Sequence, residues 1–509
     1  MRNLITITLS LWAVIMLLFN CNKSMAQCKL SGKVEHLNHA DTMELRIPYV
    51  YGYNYDTTML VPINKQGDFS ANVHISQTKF VKLLFNGKVW TVMFKPGKQL
   101  ELTLNAADTS ISNFKGSLAA ANNLLYQIKA GQYPAFIKAG DRGNNNYAKG
   151  TAAEVTERVI KPWLALGDAR VAQVQASALT VTDKRLIAQE ARAENLSWIH
   201  YFVVAKMNID KDDLIGLYKT LYGNVKVEPD IMPAGPQYYE FADGYIGYLE
   251  SRAMVFMNGL DKAKAKTTPL PYFNVSFDDG ITLSKAKGKL YVNWLAIKNN
   301  YSKSVAEAML AQFIANTCAE KNLTEARPLM DEMMRLYPQS KYAPKLSAKI
   351  KAMENNLAAN QSNQAIQIVE GYEKVNSIYE IVNKYKGKVI YLDVWGTWCP
   401  PCRDELKFGP ELKQHFEGKD VVYIYLDMDD DAKDTHWRDF IKVNNISGIH
   451  LRKSKADIQK FWGELQPDKN KQGSYPTYFI FDKNGKPVAN DAKRPSDKTK
   501  LYQQIAQYL

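Results

Sequence analysis

In the C-terminal part of the chain, apolar residues are concentrated in the segment VIYLDVW at Val389–Trp395. A short run this rich in apolar and β-branched residues predicts a strand that is buried on both faces, as in a parallel sheet. Gly396 interrupts the run, and Pro400 and Pro401 follow soon after it. Proline is favoured in the first turn of a helix, where its missing N–H is not needed. We therefore expect a buried strand, a short loop and a helix that continues to about Phe416.

The segments around this strand complete the pattern of an α/β domain over residues 377–509. A second buried strand is predicted at Val421–Leu426, and the helix after it is predicted to end near Val443. Asp482–Gly485 has the composition of a turn that leads into an edge strand, and Ser496–Leu509 is predicted to be a terminal helix. The polar segment at residues 361–376 is expected to be the linker that precedes the domain.

The N-terminal part of the chain, residues 27–110, is predicted to be an all-β domain. Phe80–Phe85 and Lys88–Phe94 are rich in Val, Leu and Phe, and Asn86-Gly87 between them is a strong signal for a β-hairpin. Gln99–Leu104 is expected to form a further strand of alternating pattern. No combination of residues in this domain suggests catalysis, so we expect it to act in docking or as a spacer.

Residues 111–360 are predicted to be mostly helical. Ala-rich, amphipathic segments recur there, for example at Val155–Leu166, Leu186–Met207 and Val305–Glu320. Thr324–Leu336 and Tyr342–Met353 are expected to pair as a helical hairpin, because proline ends the first helix and lies near the start of the second. We find no repeat at the period of this hairpin, so the sequence does not support a solenoid.

Met1–Ala26 has the pattern of a secretory signal peptide. Arg2 supplies positive charge, Leu4–Phe19 is an apolar stretch too short for a comfortable membrane span, and small residues near Ala26 suit cleavage. We therefore expect an exported protein of the periplasm or cell envelope. Two alternatives remain open, namely a lipoprotein signal that ends at Cys21 and an uncleaved membrane anchor.

The formal net charge of +13 raises the question of nucleic-acid binding. The lysines are scattered, and the chain has neither a dense basic run nor a nucleic-acid-binding motif. The charge therefore indicates a solvated basic surface, with an acidic partner or an anionic membrane surface as the alternative.

The chemistry suggested by the sequence lies in two cysteines, Cys399 and Cys402, with two prolines between them. Cys399 is predicted to lie at a helix N-terminus, where unpaired N–H groups stabilise a thiolate. In this interpretation Cys399 attacks a disulfide and Cys402 resolves the mixed disulfide. A structural disulfide and half of a zinc site are the alternatives. Zinc would need a second ligand pair, and neither the other cysteines nor His36 and His39 supply that pattern.

These residues resemble a known family. Trp398–Cys402 (WCPPC) after a strand, followed by Arg403 and Glu405, is similar to the thioredoxin-fold TlpA/ResA-like thiol–disulfide oxidoreductases of bacterial envelopes. The resemblance covers about Ile378–Leu509 and implies a thioredoxin fold there. The N-terminal all-β segment is likewise similar to the small β-sandwich domains that precede such modules in Bacteroidetes-type envelope proteins.

The resemblance also implies roles for particular residues. Asp393 stands at the position of the buried acid of thioredoxin, which implies that Asp393 relays a proton to Cys402. Glu405 matches a glutamate that the family places near the thiols. An ordinary strand aspartate and a solvated helix glutamate are the alternatives. The loop Gly473–Thr477 resembles the cis-proline loop that pairs with substrate backbone, so Pro476 is predicted to be cis, with an ordinary trans proline as the alternative. The residues expected to contact substrate are Trp398, Pro400, Pro401, Tyr475, Pro476 and Thr477.

One position departs from the family pattern. Such proteins usually have a proline in the active-site helix where this chain has Lys407, and Pro410 follows three residues later. The kink expected in that helix is therefore uncertain from the sequence.

We conclude from the sequence that the chain is an exported thiol–disulfide oxidoreductase that needs no cofactor and no metal beyond its redox-active cysteine pair. The family resemblance implies disulfide-containing envelope proteins as clients, apocytochromes c among them in some members, and a membrane thiol carrier as the electron source. A thioredoxin-superfamily peroxidase is one alternative, but Gly396 and Leu392 stand where its site has Thr or Ser and Pro. A non-enzymatic envelope binding protein, in which the helical region is the functional part, is the other.

Overall fold

The computed structural model describes residues 27–37, 39–50, 52, 58–223, 225, 235–468, 470 and 472–509. The predicted signal peptide, with its alternative at Cys21, lies outside the described residues. Contacts divide the chain into two compact units: residues 1–282 with Val292–Ala319, and Leu283–Tyr291 with Glu320–Leu509. Within the described residues, no helix has both the length and the apolarity that crossing a bilayer requires.

The first unit begins with eight strands in two four-stranded sheets, of order β4-β1-β7-β8 and β3-β2-β5-β6. Their inward-facing apolar side chains form one shared core. The predicted hairpin is present, since Asn86 and Gly87 both have the positive φ that a tight turn between β5 and β6 requires. The bounds are β1 Gln27–Glu35, β2 Asp41–Arg46, β3 Thr58–Ile63, β4 Asp68–His74, β5 Lys79–Phe85, β6 Lys88–Phe94, β7 Gln99–Asn105 and β8 Ser110–Lys115.

Helices follow these strands, which confirms the predicted order of an all-β segment and then a mostly α-helical region. Two of the helices are interrupted or extended by π-helical turns, at Thr156–Ile160 and Phe202–Lys206. The bounds are α1 Ala119–Gln127, α2 Ala135–Lys138, α3 Ala152–Val155, α4 Lys161–Ala176, α5 Val181–Tyr201, α6 Lys211–Tyr222, α7 Pro236–Asn258, α8 Lys262–Thr267, α9 Phe277–Lys287, α10 Lys289–Asn300 and α11 Lys303–Ala319.

Buried polar side chains anchor this helical region. Asn122 on α1 accepts a hydrogen bond from the backbone N–H of Met93 at 2.8 Å and donates one to the carbonyl of the same residue at 3.1 Å. Glu190 accepts from the backbone N–H of Gln237 at the start of α7 at 3.0 Å. In both cases a buried side chain satisfies backbone groups that would otherwise lack a partner.

The second unit contains the predicted helical hairpin, α12 at Leu323–Leu336 and α13 at Ala343–Ala359. This hairpin packs on α17, Asp434–Val443. At its end, Asn360 donates to the carbonyl of Lys442 at 2.9 Å. The contacts thus group the hairpin with the C-terminal sheet, whereas the domain boundary expected from composition fell at residue 360.

A six-stranded sheet of order β14-β13-β10-β11-β12-β9 forms the centre of this unit. β9, β10, β11 and β12 run parallel to one another. β13 pairs antiparallel with both β10 and β14. The strands are β9 Ile366–Ile368, β10 Val389–Trp395, β11 Val421–Met428, β12 Gly448–Lys453, β13 Thr477–Phe481 and β14 Pro487–Ala489. The remaining helices are α14 Tyr379–Val382, α15 Pro400–Leu406, α16 Gly409–His415, α18 Ile458–Leu465 and α19 Thr499–Ala506.

The structure differs from the sequence-based expectation at two places in this unit. The segment expected to be only a linker contributes the edge strand β9, which pairs with β12. The single helix expected from Pro400 to Phe416 is divided into α15 and α16. Pro410 accounts for the division, because it has no N–H to donate to the carbonyl of Leu406.

Candidate active site

Cys399 and Cys402 form a disulfide immediately beyond the loop that follows β10. The S–S distance is 2.03 Å and the two Cα atoms are 5.3 Å apart. Cys399 is the N-cap of α15, and the backbone N–H of Cys402 points at its Sγ at 3.3 Å. Both cysteines are almost completely buried, with 2% and 1% of their surface exposed.

The surface around this disulfide is formed by residues predicted to contact substrate. Pro400 and Pro401 are exposed, and Trp398 is 49% exposed. The Trp398 ring lies edge-on to the ring of Tyr475, with centroids 5.4 Å apart. An exposed indole thus stands beside a buried sulfur pair, which leaves a surface suited to a peptide chain.

The proline loop lies at the same end of the sheet. The Tyr475–Pro476 peptide bond is cis, as the sequence predicted. Thr477 begins β13 and lies opposite Val394 in the antiparallel pair with β10, which brings this loop beside the end of the strand that leads to Cys399. The Thr477 hydroxyl donates to the carbonyl of Ser474 at 2.6 Å, so that hydroxyl stabilises the loop itself.

Asp393 is buried within β10, and its Oδ1 has no hydrogen-bond partner among the described residues. Burial raises the pKa of its carboxyl well above the ordinary value, the charge of Glu405 raises it further, and Lys413 acts in the opposite direction. Glu405 itself accepts two hydrogen bonds from Ser496, one from the backbone N–H at 2.9 Å and one from the hydroxyl at 2.8 Å. The glutamate is therefore bonded to the loop ahead of α19 and acts on Asp393 through its charge.

Lys413 was not identified from the sequence. Its ammonium group donates to the carbonyl of Ser447 and lies 5.1 Å from the centre of the Tyr425 ring. Burial lowers the pKa of Lys413 to about 8, while the charge of Asp393 opposes that change. No sequence signal could have revealed this residue, because its orientation depends on how α16 packs on the sheet.

A pair of aspartates at the C-terminal end of β11, Asp427 in the strand and Asp429 just beyond it, was also missed as part of the site. Asp429 accepts from the Thr397 hydroxyl at 2.6 Å and from the Thr397 backbone N–H at 3.2 Å, with the same carboxylate oxygen. Asp427 is completely buried at the end of β11. The acidic run Asp427–Asp431 directly after a buried strand was a visible signal, but it did not show which of its carboxylates face inward.

Metal ligands are not clustered in the described part of the chain: no three His, Cys, Asp or Glu side chains there are arranged to hold an ion.

The family match found by comparison with known proteins lies in the C-terminal part of the chain. Residues 376–505 match the family model described as Redoxin. The chain is 32% identical over 125 residues to "Thiol-disulfide oxidoreductase ResA" of Bacillus thuringiensis subsp. konkukian, covering 25% of this chain and 64% of that protein. It is 38% identical over 101 residues to "Thiol:disulfide interchange protein DsbE" of Pseudomonas aeruginosa, covering 20% of this chain and 48% of that protein.

The solved structures give a similar picture of coverage. The crystal structure of the thioredoxin domain of a Bacteroides vulgatus thiol-disulfide oxidoreductase matches 25% of this chain and 82% of that chain, with 21% identity and a TM-score of 0.21. The chain spans less than two thirds of the length of the two curated relatives given above.

Proposed function

We propose that this chain, whose residues 376–505 form a redoxin domain of the thioredoxin superfamily similar to the TlpA/ResA-like proteins, reduces protein disulfides through Cys399 and Cys402. The observation that supports this proposal best is the disulfide between these cysteines at the start of α15. An exposed Trp398 and a cis-proline loop lie at the same end of the sheet. Relatives named thiol–disulfide oxidoreductase agree with this assignment.

The proposed reaction transfers two electrons from the reduced dithiol to a client disulfide. The Cys399 thiolate attacks one client sulfur, forms a mixed disulfide and releases the other client sulfur as a thiolate, which takes up a proton. The Cys402 thiol loses its proton and attacks Cys399 Sγ, which releases the second client sulfur and forms the Cys399–Cys402 disulfide. A dithiol carrier then reduces this disulfide and is itself oxidised.

Asp393 is the group proposed to accept the proton of Cys402. A carboxyl with an ordinary pKa is a poor base for a thiol, because the two proton affinities differ by several orders of magnitude. Burial raises the pKa of Asp393 and brings it closer to that of a thiol. Glu405 contributes by raising that pKa further.

The site of action and the partners belong to the same proposal. We infer from the signal-like pattern of Met1–Ala26 that the chain is exported to the periplasm or cell envelope, either released by cleavage or held at its N-terminus. Its clients are envelope proteins with disulfides, apocytochromes c among the candidates by family resemblance, and its reductant is a membrane thiol carrier.

Single-cysteine variants test the proposal. The full chain, reduced with dithiothreitol, is expected to reduce a model protein disulfide, and Cys399→Ser is expected to abolish this activity. Cys402→Ser is expected to accumulate a covalent mixed disulfide, because the resolving thiol is missing. Equal behaviour of the wild type and the Cys399→Ser, Cys402→Ser double variant would favour a binding protein, and rapid consumption of hydrogen peroxide would favour a peroxidase.

A further inference from the structure

The loop that carries the dithiol is held by the residues at the end of β11. Trp398 donates its indole N–H to the carbonyl oxygen of Met428 at 2.7 Å. Thr397 donates its hydroxyl and its backbone N–H to Asp429 at 2.6 and 3.2 Å. The two residues directly before Cys399 are therefore both hydrogen-bonded to the end of β11. Thr397 bonds Asp429, 32 positions further along the chain, and Trp398 bonds Met428, 30 positions further along.

The loop has no space to relax at its first residue. A Cβ atom at Gly396 would lie 2.4 Å from the Trp398 Nε1 and 3.1 Å from the carbonyl oxygen of Met428. A side chain at Gly396 would therefore require the Trp398 indole to move. The indole is thus packed directly on the backbone of the loop, and the hydrogen bonds of Thr397 and Trp398 fix one compact arrangement.

Asp429 is itself held in place. Arg452 on β12 is 4% exposed, and its Nη1 donates to the carbonyl oxygen of Asp429 at 2.8 Å and to the Asp431 carboxylate at 3.0 Å. Its Nη2 donates to the hydroxyl of Tyr372 at 3.2 Å. A planar guanidinium with several partners is a rigid support, so the position of Asp429 is determined by the sheet rather than by the loop.

The charges of the neighbouring groups favour an ionised Asp429. Burial raises the pKa of Asp427 well above its ordinary value, the charge of Asp429 raises it further, and the charge of Arg452 opposes that change. Burial also raises the pKa of Asp429, but the hydrogen bonds from Thr397 and the positive charge of Lys433 oppose that change.

We propose that Asp429 is a positioning residue of the dithiol: by binding both donors of Thr397, it fixes the loop that presents the Cys399 sulfur to a client disulfide. This inference rests on the proposed function and adds a role for a residue outside the Cys-Pro-Pro-Cys segment. The aspartate contacts neither sulfur nor client and acts through Thr397. Loss of the contact leaves two donors of Thr397 without their acceptor and frees Cys399 to adopt positions from which attack is slower.

The test compares variants of both partners in the full-length chain. Asp429→Ala and Thr397→Val are each expected to slow reduction of a model protein disulfide about tenfold. Their combination is expected to be no slower than Asp429→Ala alone, because that variant already removes the acceptor of both Thr397 donors. Thr397→Ser retains the hydroxyl and is expected to restore the wild-type rate. Asp430→Asn, in the exposed neighbour of Asp429, is the matched control and is expected to leave the rate unchanged.

A second measurement separates positioning from general destabilisation. In a Cys402→Ser background, the rate of Cys399 alkylation by iodoacetamide is followed against pH. We expect Asp429→Ala and Thr397→Val to displace this profile, and Thr397→Ser and Asp430→Asn to leave it unchanged. Folding of each variant is checked by its melting temperature.

Two results overturn the inference. The first is that folded Asp429→Ala and Thr397→Val both have the reduction rate and the alkylation profile of the wild type. If Asp429→Ala does not fold, the result for Thr397→Val alone decides. The other is a Thr397→Ser variant as slow as Thr397→Val, since the retained hydroxyl would then have no effect. If the wild type itself reduces no disulfide, the proposed function fails, and the alkylation profiles still decide whether Asp429 positions Cys399.

Discussion

Asp393 and Lys413 are ordinarily charged at neutral pH, but burial drives each of them toward its neutral form. Burial raises the pKa of the aspartate and lowers that of the lysine to about 8, while their mutual attraction opposes both changes. The pKa of Asp393, the proposed base on β10, therefore depends on the positive charge of Lys413 on α16. This dependence can be measured, since a change of one group should alter the titration of the other.

We expect Lys413→Met to raise the pKa of Asp393 further, because the variant removes the positive charge that favours the carboxylate. The pH profile of mixed-disulfide resolution should then move to higher pH. Stopped-flow measurement of resolution against pH provides the test, with Lys419→Met, in an exposed lysine nearby, as control. A profile identical to that of the wild type would show that Lys413 does not influence Asp393.

The raised pKa of Glu190 leads us to expect that the stability of the first unit depends on pH. Burial raises its pKa from 4.5 to about 8. Between these values the unfolded chain releases a proton that the folded chain retains, so this group's contribution to stability is complete at low pH and declines as the pH rises to about 8. Glu190→Gln should remove this decline, worth on the order of a few kcal/mol.

The measurement is the melting temperature of the Glu190→Gln variant and the wild type at about pH 5 and about pH 8. The melting temperature of the variant relative to that of the wild type should be higher at about pH 8 than at about pH 5. The glutamine amide oxygen can still accept the hydrogen bond from the Gln237 N–H. An equal difference at both pH values would mean that Glu190 does not titrate with the raised pKa.

Elements in this chain are joined by a few buried side chains as well as by apolar packing. Asn122 on α1 illustrates this, because it bonds both backbone groups of Met93 on β6 and the carbonyl of Leu118. Asn122→Ala should lower the free energy of unfolding by about 2–3 kcal/mol, since buried backbone groups lose their partners. Urea unfolding measures this, and Asn123→Ala, in the exposed neighbour, should cost much less. Similar midpoints for the two variants would contradict the role assigned to Asn122.

Elements whose pattern is strong and local were predictable from the sequence. β10 and β11 are continuous apolar runs, and the β5–β6 hairpin has a turn dipeptide that few other structures use. β9 was not predictable, because its three residues lie in a polar segment and form a strand only by pairing with β12. The break between α15 and α16 had one visible signal, Pro410, whose effect depended on where the preceding helix ended.

The candidate site likewise contains residues that the sequence pointed to and residues that it did not. Cys399, Cys402 and Pro476 were identified because their motifs are contiguous in sequence. The contact of Asp429 with Thr397 joins two loops that only the parallel pairing of β10 and β11 brings together. A single sequence contains no record of that proximity, so the acidic run after β11 could be noticed but not interpreted.

At the scale of the whole molecule, the second unit extends beyond the region matched by the redoxin family. It includes the α12–α13 hairpin and the β9 strand, both of which precede residue 376. The hairpin covers part of α17, and β9 covers one edge of the sheet. The family match alone therefore does not define the part of the chain that packs as one body.

A fragment of residues 320–509 should consequently melt at a higher temperature, and more cooperatively, than one of residues 376–509. The shorter fragment lacks β9 and exposes the face of α17 that the hairpin covers, so it should also bind more of a hydrophobic dye. Circular dichroism melts and dye fluorescence provide the measurement. Equal melting temperatures and equal dye binding would show that the hairpin adds nothing to the stability of the sheet.

The near-complete burial of Cys399 beside a half-exposed Trp398 has a consequence for client choice. Under the proposed function, so little open surface at the sulfur favours a cystine on an extended segment that can lie along the indole and the proline loop. A cystine in the interior of a folded globule cannot approach in that way. Selection among envelope proteins would then operate through steric access, and immature chains would be reduced in preference to finished ones.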